Sequence, residues 1–441
     1  MKAPMSVLVT LTLATVVLPA AADAATRAFV GARVLPIASE PVEDGVVLIE
    51  DGRILAVGPR RGTRIPRRAE VIELAAGTVV MPGIVDTHSH VGEVSGADRS
   101  APIQPENRAL DSVNIRSSGL RRALAGGITS VNVMPGSGHL ISGQTIYLKL
   151  REGSAIEDLA YRRPDGRVAG GLKMANGTNP QRDPPFPGTR AKAAALVRQA
   201  YVDAQDYARR RAEAPVGERP PRDLGKEILA EVLAGERVVH HHTHRHDDVV
   251  TVMRLAEEFG YEVVLHHVSD AWKVADEIAE AGMAVSLILL DSPGGKLEAL
   301  DVSAESGAAL EAAGVPLSLH TDDWITDSRY FLRMAAMAVR GGMSREAALR
   351  ALTLEAARQL DLEDRVGTLE PGKDADLVIL SGDPFSSRTR VLETWVEGVR
   401  RFDLDDPEDR LVAEGGPGAL TPDDGQGHLH HMEERHGRSG R

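Results

Sequence analysis

Residues 27–80 alternate apolar with polar positions or form short apolar runs, and this pattern predicts a set of short β-strands. In the stretch GVVLIEDGRILAVG, two apolar runs flank Asp51-Gly52, a residue pair that suits the tight turn of a β-hairpin. Strand-like runs return after Leu362, in VGTLEPGKDADLVILSGDP and VLETWVEGVRRFD. We therefore predict that these two distant segments pair into one small β-sandwich.

Between these segments the chain alternates strand-like runs with helical ones. The run RVVHHHTH is followed by DDVVTVMRLAEEFG, which has acidic residues at its start and a glycine at its end, and YEVVLHHV is followed by AWKVADEIAEAG. Such alternation favours a parallel sheet with right-handed crossovers, and the number of units suits a closed barrel better than an open sheet. The sequence thus predicts an α/β protein in which a (β/α)8 TIM barrel is inserted into the small β-sandwich built from the N- and C-terminal segments.

The first residues have the pattern of a secretory signal peptide, with a basic start at Lys2, an apolar run from Met5 to Leu18 and small residues at a cleavage site. A membrane anchor is the alternative, but the run is short for a spanning helix. We therefore expect an exported protein, periplasmic or secreted, without membrane contact after cleavage. The predicted organisation is a signal peptide at 1–24, the N-terminal sandwich segment at 25–80, the barrel at 81–362, the C-terminal sandwich segment at 363–402 and a mobile, acidic, histidine-containing tail at 403–441.

Composition narrows the range of partners. The formal net charge of −13 argues against a nucleic-acid partner, because binding phosphate requires a basic surface. The chain has no cysteine, so an exported form must be stabilised by its core or by a metal rather than by disulfides. Hydrophobic residues at 42% allow a sizeable core, and a homo-oligomer is compatible with the sequence.

Histidines stand at the ends of several predicted strands. MPGIVDTHSH ends with His88 and His90, and because residues i and i+2 of a strand share a face, both imidazoles should point into the barrel. In VVLHHV, His266 and His267 point to opposite faces, so that only one should look inward. LSLHTDD ends a still later strand with two aspartates. Because barrel sites lie at the carboxyl ends of strands, these clusters together predict a divalent-metal centre. A hydrogen-bonded histidine pair is the alternative for each cluster alone.

The histidine-rich run RVVHHHTHRH contains more candidates than a metal can use. By strand parity its even-numbered histidines, from His240 to His246, share one face, while His241 takes the other. Some of them must lie below the site or beyond the strand end.

The motifs MPGIVDTHSH, HHHTHR, VLHHV, HTDD and GKDADLVIL together resemble the amidohydrolase superfamily, and within it the imidazolonepropionase-like and metal-dependent dipeptidase-like branch. The resemblance covers about residues 27–400 and lies in the combination and order of the motifs. It implies one or two divalent metals per chain; imidazole and carboxylate ligands suit Zn²⁺ first, with Fe²⁺, Mn²⁺ or Co²⁺ as alternatives. The metal ligands that it implies are His88 and His90 on the first strand, His242 on the fifth, His267 on the sixth and Asp322 on the eighth.

Lys173 lies near the end of an apolar strand in GGLKMANG, where an ammonium group is costly to desolvate. In relatives with two metals, a lysine at this position carries a carbamate made with CO₂, which bridges the two cations. The resemblance therefore implies a carboxylated Lys173 as a further metal ligand. The alternative is a lysine that reaches water at the strand end, which would leave one metal.

The resemblance implies a hydrolase that cleaves a C–N bond of a small-molecule amide, peptide or cyclic amide by metal-activated water, with Asp322 as general base and then general acid. Arg245 is a candidate to hold a substrate carboxylate, or else pairs with Asp247 or Asp248. His139 is a second substrate-binding candidate. A one-metal deaminase and an inactive metal- or solute-binding protein are the competing functions, and retention of Asp322 argues against the inactive protein.

Overall fold

The structure, a computed structural model, describes residues 26–92, 98, 100–289, 297–323, 325–417 and 419. The predicted signal peptide at 1–24 and the tail histidines at 428–436 lie outside these residues. Among the helices of the described residues, none is both long enough and apolar enough to cross a lipid bilayer.

The strands of the described chain form three sheets. In chain order they are β1 (Arg27–Val34), β2 (Val42–Glu50), β3 (Arg53–Pro59), β4 (Glu70–Glu73), β5 (Val79–Pro82), β6 (Ile84–Ser89), β7 (Ile128–Val133), β8 (Ile141–Gln144), β9 (Ile146–Lys149), β10 (Leu172–Ala175), β11 (Val239–Thr243), β12 (Val263–His267), β13 (Ala284–Leu287), β14 (Leu317–Leu319), β15 (Leu377–Leu380), β16 (Val391–Val396) and β17 (Val399–Asp403).

The helices begin and end where the sequence supplies caps. Thr189 and Asp223 accept hydrogen bonds from first-turn amides, and Gly260 ends its helix with φ 73°. In chain order the helices are α1 (Ser118–Ala125), α2 (Ile156–Leu159), α3 (Arg190–Glu213), α4 (Leu224–Leu233), α5 (His246–Phe259), α6 (Ala275–Glu280), α7 (Ser306–Ala312), α8 (Phe331–Arg340), α9 (Arg345–Leu352), α10 (Leu354–Arg358) and α11 (Pro407–Glu414).

The N- and C-terminal strands form one eight-stranded sheet in the order β17-β16-β15-β5-β1-β2-β3, with β4 also paired to β1. The two distant segments join where β15 runs antiparallel to β5. The sheet curls on itself, because Phe29 of β1 meets Trp395 of β16 edge to face with 5.0 Å between ring centroids. The β2–β3 hairpin turns through Asp51 and Gly52, whose φ values of 51° and 74° are those of a type I′ turn.

A second group of strands builds a TIM-barrel-like α/β arrangement. β10 to β14 lie side by side in parallel, and β6 is parallel to β7. β14 continues toward β6, since the amide nitrogen of Asp322 donates to the carbonyl oxygen of His88 at 2.9 Å, and Ser89 forms a parallel bridge with Asp323. This arrangement brings the carboxyl ends of β6, β11, β12 and β14 to one rim.

The link between β7 and β10 departs from the predicted strand–helix alternation. β9 runs antiparallel to β7, and β8, separated from β9 by Thr145 alone, runs antiparallel to β10. The stretch PGSGHLISGQ has the small and polar residues of a loop, yet Ile141–Gln144 within it form β8. The local sequence does not reveal this strand, because its hydrogen-bond partners lie on β10, about 30 residues later in the chain.

The segment assigned to a mobile tail from residue 403 begins with a helix instead. Asp406 accepts hydrogen bonds from the amides of Glu408 and Asp409, at 2.8 and 3.2 Å, and so caps α11. Val412 is buried, and Asp409 pairs with Arg121 of α1 at 3.2 Å. The acidic residues therefore serve the start of a packed helix, which is where carboxylates are favourable.

Candidate metal centre

The rim formed by the carboxyl ends of β6, β11, β12 and β14 gathers side chains that are far apart in sequence. The Nε2 atoms of His88 and His90, at the end of β6, lie 3.4 and 3.0 Å from Oδ1 of Asp322, which follows β14. Nδ1 of His267, at the end of β12, lies 3.8 Å from Oδ2 of the same carboxylate. Donor atoms of His88, His267 and Asp322 thus lie within 4.8 Å of one another, close enough to share one cation, and His90 contacts the same carboxylate.

Left-handed backbone at the strand ends aims two of these side chains. His267, Val268 and Asp322 have φ values of 70°, 43° and 48°, which residues other than glycine adopt rarely. As a result His267 faces inward as His266 does: its ring centroid is 4.8 Å from that of His88, and Nδ1 of His266 is 3.2 Å from Nδ1 of His88. The expectation that only one of the pair looks inward is wrong, because parity holds only while the backbone stays extended.

Lys173 of β10 reaches the same centre. Its side chain is fully buried, and its Nζ lies 2.9 Å from Nε2 of His88 and 3.0 Å from the sulfur of Met134. The amine therefore stays buried, and the alternative of a lysine that extends to water at the strand end does not hold.

The ring of His242 packs against that of His267, which in turn contacts Asp322. The ring centroids of His242 and His267 are 4.3 Å apart, and that of His244 lies 4.7 Å from His242. The donor atoms of these three histidines all lie within 4.8 Å of one another. His244 shares the strand parity of His242, but the motif resemblance singles out His242 alone.

A deeper layer of imidazoles lies beneath the predicted ligands. His320 is fixed by Ser286, whose Oγ is 2.7 Å from Nδ1, and its Nε2 lies 3.2 Å from Nδ1 of His267. His240 joins His266 with 3.0 Å between Nδ1 and Nε2. The sequence names His240 and His266 as candidates and predicts that some histidines of the run lie below the site, but it does not single out His320. For His320 the available signal was its parity with Asp322, two residues on.

Outer contacts orient the ligands. Nδ1 of His90 lies 2.7 Å from the carbonyl oxygen of Met134, which leaves Nε2 for Asp322. Behind them the buried carboxylate of Asp86 accepts hydrogen bonds from the amide and hydroxyl of Thr321, at 3.1 and 2.5 Å.

Asp86 also accepts from the amide of His88 at 3.2 Å, so that it ties together the chain segments that carry His88 and Asp322. Burial raises the pKa of Asp86 to about 7, although the hydrogen bonds from Thr321 oppose this. Asp86 sits in the motif VDTHSH, but nothing in the sequence shows that its partner is Thr321.

The protonation states of the cluster suit a cation. Burial holds the pKa of His88 and His267 well below the usual value and lowers that of His320 to about 3, so these rings are neutral at neutral pH. Burial opposes ionisation of Asp322, but the hydrogen bond and charge of His90 outweigh it, and the pKa of Asp322 lies below its usual range. Neutral imidazoles around an ionised carboxylate are the forms that bind metals.

One buried ring nitrogen near Asp322 has no hydrogen-bond partner among the described residues. Nε2 of His267 is shielded from solvent and has no hydrogen-bond partner. An unsatisfied buried polar atom is costly, and a coordinated cation would satisfy this one. The donor set and this atom together fit a divalent metal.

The two predicted substrate-binding residues contact groups outside the imidazole cluster. Arg245 forms an ion pair with Asp247, with 2.9 Å between its guanidinium and the carboxylate, which is the structural alternative expected for it. Asp248 pairs with Arg190 instead. His139 is buried, and its ring packs against that of Phe186 at 5.2 Å.

The chain is similar to known proteins of the family that the motifs indicate. The chain matches the model of the amidohydrolase family over residues 79–406. A crystal structure of an amidohydrolase from Thermotoga maritima MSB8 has a TM-score of 0.79 and 34% identity, covering 85% of this chain and 99% of that one.

Two curated relatives extend the comparison. Amidohydrolase tasK of Hapsidospora irregularis is 28% identical over 395 residues, which are 81% of this chain but only 40% of that protein. Imidazolonepropionase of Caulobacter sp. (strain K31) is 26% identical over 374 residues, covering 77% of this chain and 88% of that one. The predicted resemblance is confirmed: the chain belongs to the amidohydrolase family of hydrolytic enzymes.

Proposed function

We propose that this protein is a metal-dependent hydrolase that cleaves the C–N bond of a small-molecule amide, peptide or cyclic amide. The observation that carries the proposal is the convergence of His88, His90 and Asp322, with 3.0 Å between Nε2 of His90 and Oδ1 of Asp322. We take the scaffold to be a (β/α)8 barrel inserted into a β-sandwich.

The nitrogen and oxygen donors favour a divalent cation of intermediate softness. Imidazole and carboxylate ligands suit Zn²⁺, with Fe²⁺, Mn²⁺ and Co²⁺ as alternatives. His88, His90, His267 and Asp322 would hold it. Such a cation supplies a Lewis acid and makes hydroxide available near neutral pH.

The protein supplies the proton transfer. Asp322 is ionised at neutral pH and is positioned by His90 at one oxygen, so it can accept a proton from the attacking water. The same carboxyl group then donates that proton to the leaving nitrogen. The left-handed backbone at Asp322 keeps its carboxylate over the site.

Lys173 supports a two-metal version of this site. We propose that its uncharged amine adds to CO₂, forming one N–C bond and releasing one proton, which gives a carbamate. The support is the burial of Nζ beside Nε2 of His88 at 2.9 Å, where an anion would be stabilised by adjacent cations. An unmodified Lys173 would favour the one-metal deaminase.

The test is metal content per chain together with hydrolysis of a panel of dipeptides and cyclic amides. We expect one or two equivalents of metal, loss of hydrolysis after chelation and recovery with Zn²⁺ or Co²⁺. His90→Asn should lower both metal content and rate, whereas His246→Asn, a half-exposed residue on α5, should change neither. Undiminished hydrolysis by the metal-free protein would overturn the proposal. Ammonia release from aminated substrates without amide cleavage would favour the deaminase.

A further inference from the structure

A chain of hydrogen-bond contacts runs from Tyr147 on β9 to the proposed metal ligand His88. The hydroxyl oxygen of Tyr147 lies 2.9 Å from Nε2 of His240, and Nδ1 of His240 lies 3.0 Å from Nε2 of His266. Nδ1 of His266 in turn lies 3.2 Å from Nδ1 of His88. The two middle rings therefore use both of their nitrogens within the chain, and Nε2 of His88 faces Asp322, 3.4 Å from its Oδ1.

Burial fixes the number of hydrogens in this chain. All four side chains are buried. Burial lowers the pKa of His240 to about 3 and holds that of His266 well below its usual value, so both rings are neutral at neutral pH. Burial also raises the pKa of Tyr147 above its usual range, so the hydroxyl keeps its hydrogen. A neutral imidazole carries one ring hydrogen, so one of its nitrogens donates and the other accepts.

Such a chain can run in two directions, and the direction decides what His88 presents to the centre. If Nδ1 of His88 donates to His266, then His266 donates from Nε2 to His240, and His240 donates from Nε2 to the oxygen of Tyr147. Nε2 of His88 then has a lone pair, which is what a metal binds. If Tyr147 donates to His240 instead, every bond reverses and Nε2 of His88 carries the hydrogen.

The second neighbour of His88 favours the first direction. Nζ of Lys173 lies 2.9 Å from Nε2 of His88. A lysine ammonium group can only donate, so Nε2 must accept and the ring hydrogen must lie on Nδ1. A cation at Nε2 needs the same lone pair. The unmodified ammonium and a bound cation therefore require the same direction of the chain.

We propose that Tyr147 is a positioning residue that acts on His88 through two imidazoles. Its oxygen accepts the last hydrogen bond of the chain, which keeps the hydrogen of His88 on Nδ1 and leaves Nε2 for a cation. No ring changes its charge, and only the place of one hydrogen on each ring is fixed. This inference rests on the proposed function, because the direction of the chain matters only if His88 binds a metal.

The test is NMR of the ring nitrogens in Zn²⁺-loaded, histidine-labelled protein, which reports which nitrogen carries the hydrogen. We expect the hydrogen of His240 on Nε2 in the wild type, its signals being identified by their loss in His240→Gln. Tyr147→Phe removes the acceptor, so a measurable fraction of His240 should carry the hydrogen on Nδ1. Calorimetric titration of the metal-free variant should show Co²⁺ affinity about 10-fold below wild type, the lower end of the range for an outer partner.

Tyr161→Phe is the matched control. Tyr161 is also buried, and its hydroxyl oxygen lies 2.6 Å from Oγ of Ser130, so this variant loses an equivalent hydrogen bond. It should leave both the His240 tautomer and the Co²⁺ affinity unchanged. A general effect of removing a buried hydroxyl would instead weaken Co²⁺ binding in both variants alike, and that result would overturn the inference.

The remaining outcomes separate this inference from the proposed function. If His240 carries its hydrogen on Nδ1 in the wild type, the chain runs the other way and the inference fails, while metal-dependent hydrolysis can still be observed. A wild-type tautomer or a wild-type Co²⁺ affinity in Tyr147→Phe also overturns it. If the wild-type protein binds neither Zn²⁺ nor Co²⁺, both proposals fail. Should Tyr147→Phe misfold by near-ultraviolet circular dichroism, the wild-type tautomer of His240 decides alone.

Discussion

His90 and Asp322, which stand at the ends of β6 and β14, meet with 3.0 Å between Nε2 and Oδ1. The contact joins the ligand of one strand to the proposed proton acceptor of the other. Asp322→Asn removes the negative charge while keeping the shape of the side chain. We expect its kcat to fall about 10²–10⁴-fold, the range typical of a lost general base.

Steady-state kinetics and metal analysis of the same sample check this prediction. Asp276→Asn, an exposed position on α6, is the control and should keep the wild-type rate. A fully metal-loaded Asp322→Asn protein with wild-type kcat would show that Asp322 serves only as a ligand or not at all.

Lys173 offers a second prediction, because its buried amine can be tested for carboxylation directly. Lys173→Ala should lower metal content to one equivalent and reduce the rate about 10²-fold, since a bridging carboxylate is lost. Added acetate or propionate should restore part of the rate, because a small carboxylate can fill the space left by the side chain.

The control is Lys192→Ala on the exposed face of α3, which should respond to neither treatment. The rates of all variants are measured with and without added carboxylate at fixed ionic strength. Full metal content in Lys173→Ala, with no response to carboxylates, would rule out the carbamate.

Much of the centre was predictable because strand geometry is local. The spacing of His88 and His90 predicts a shared face from the backbone of a single strand, and the structure brings both to Asp322. The pairing of residues 27–80 with the strands after Leu362 followed from patterns on the two segments alone.

Other features of the site and fold could not be predicted, because they depend on contacts between residues that are distant in sequence or on local backbone geometry. His267 turns inward beside His266 because its own backbone leaves the extended region at φ 70°, which breaks the parity rule. β8 pairs with β10, which lies later in the chain, and its ends also bridge to residues 103 and 108. Asp86 gains its role from Thr321, which is distant in sequence.

Asp86 gives a third prediction, as a positioning residue. Its carboxylate links the segments that carry His88 and Asp322 through three hydrogen bonds. Asp86→Ala should weaken Co²⁺ binding about 10–100-fold, as loss of an outer hydrogen-bond partner does at other metal sites. Asp86→Asn retains one acceptor oxygen and should lose less.

The affinity for Co²⁺ is measured together with kcat and KM at saturating metal. A positioning role predicts that excess metal restores most of the rate in Asp86→Asn. If both variants bind Co²⁺ as tightly as wild type, Asp86 does not act through the ligands.

The last prediction concerns Lys149, which pairs with two aspartates of the motif GKDADLVIL. Lys149 on β9 is almost fully buried and forms ion pairs with both aspartates of the motif, at Oδ2 of Asp374 and, at 3.0 Å, Oδ2 of Asp376. Burial opposes its charge, but the two carboxylates outweigh this and hold the pKa of Lys149 above its usual range. The stabilisation is therefore present throughout the neutral range and should be lost only as pH rises beyond about 10.5.

Lys149→Met should lower the free energy of unfolding by about 3 kcal/mol, because it leaves two buried carboxylates without their shared cation. Arg365, which lies 2.7 Å from Asp374, keeps the loss near the lower end of the range for broken buried pairs. Urea unfolding of metal-saturated protein at pH 7 measures the change, with Lys192→Met as the exposed control. Replacing both aspartates by asparagine in the Lys149→Met background should recover some of the loss, since it removes the uncompensated charges. A Lys149→Met protein as stable as wild type would mean that the ion pairs between Lys149 of β9 and the motif do not stabilise the fold.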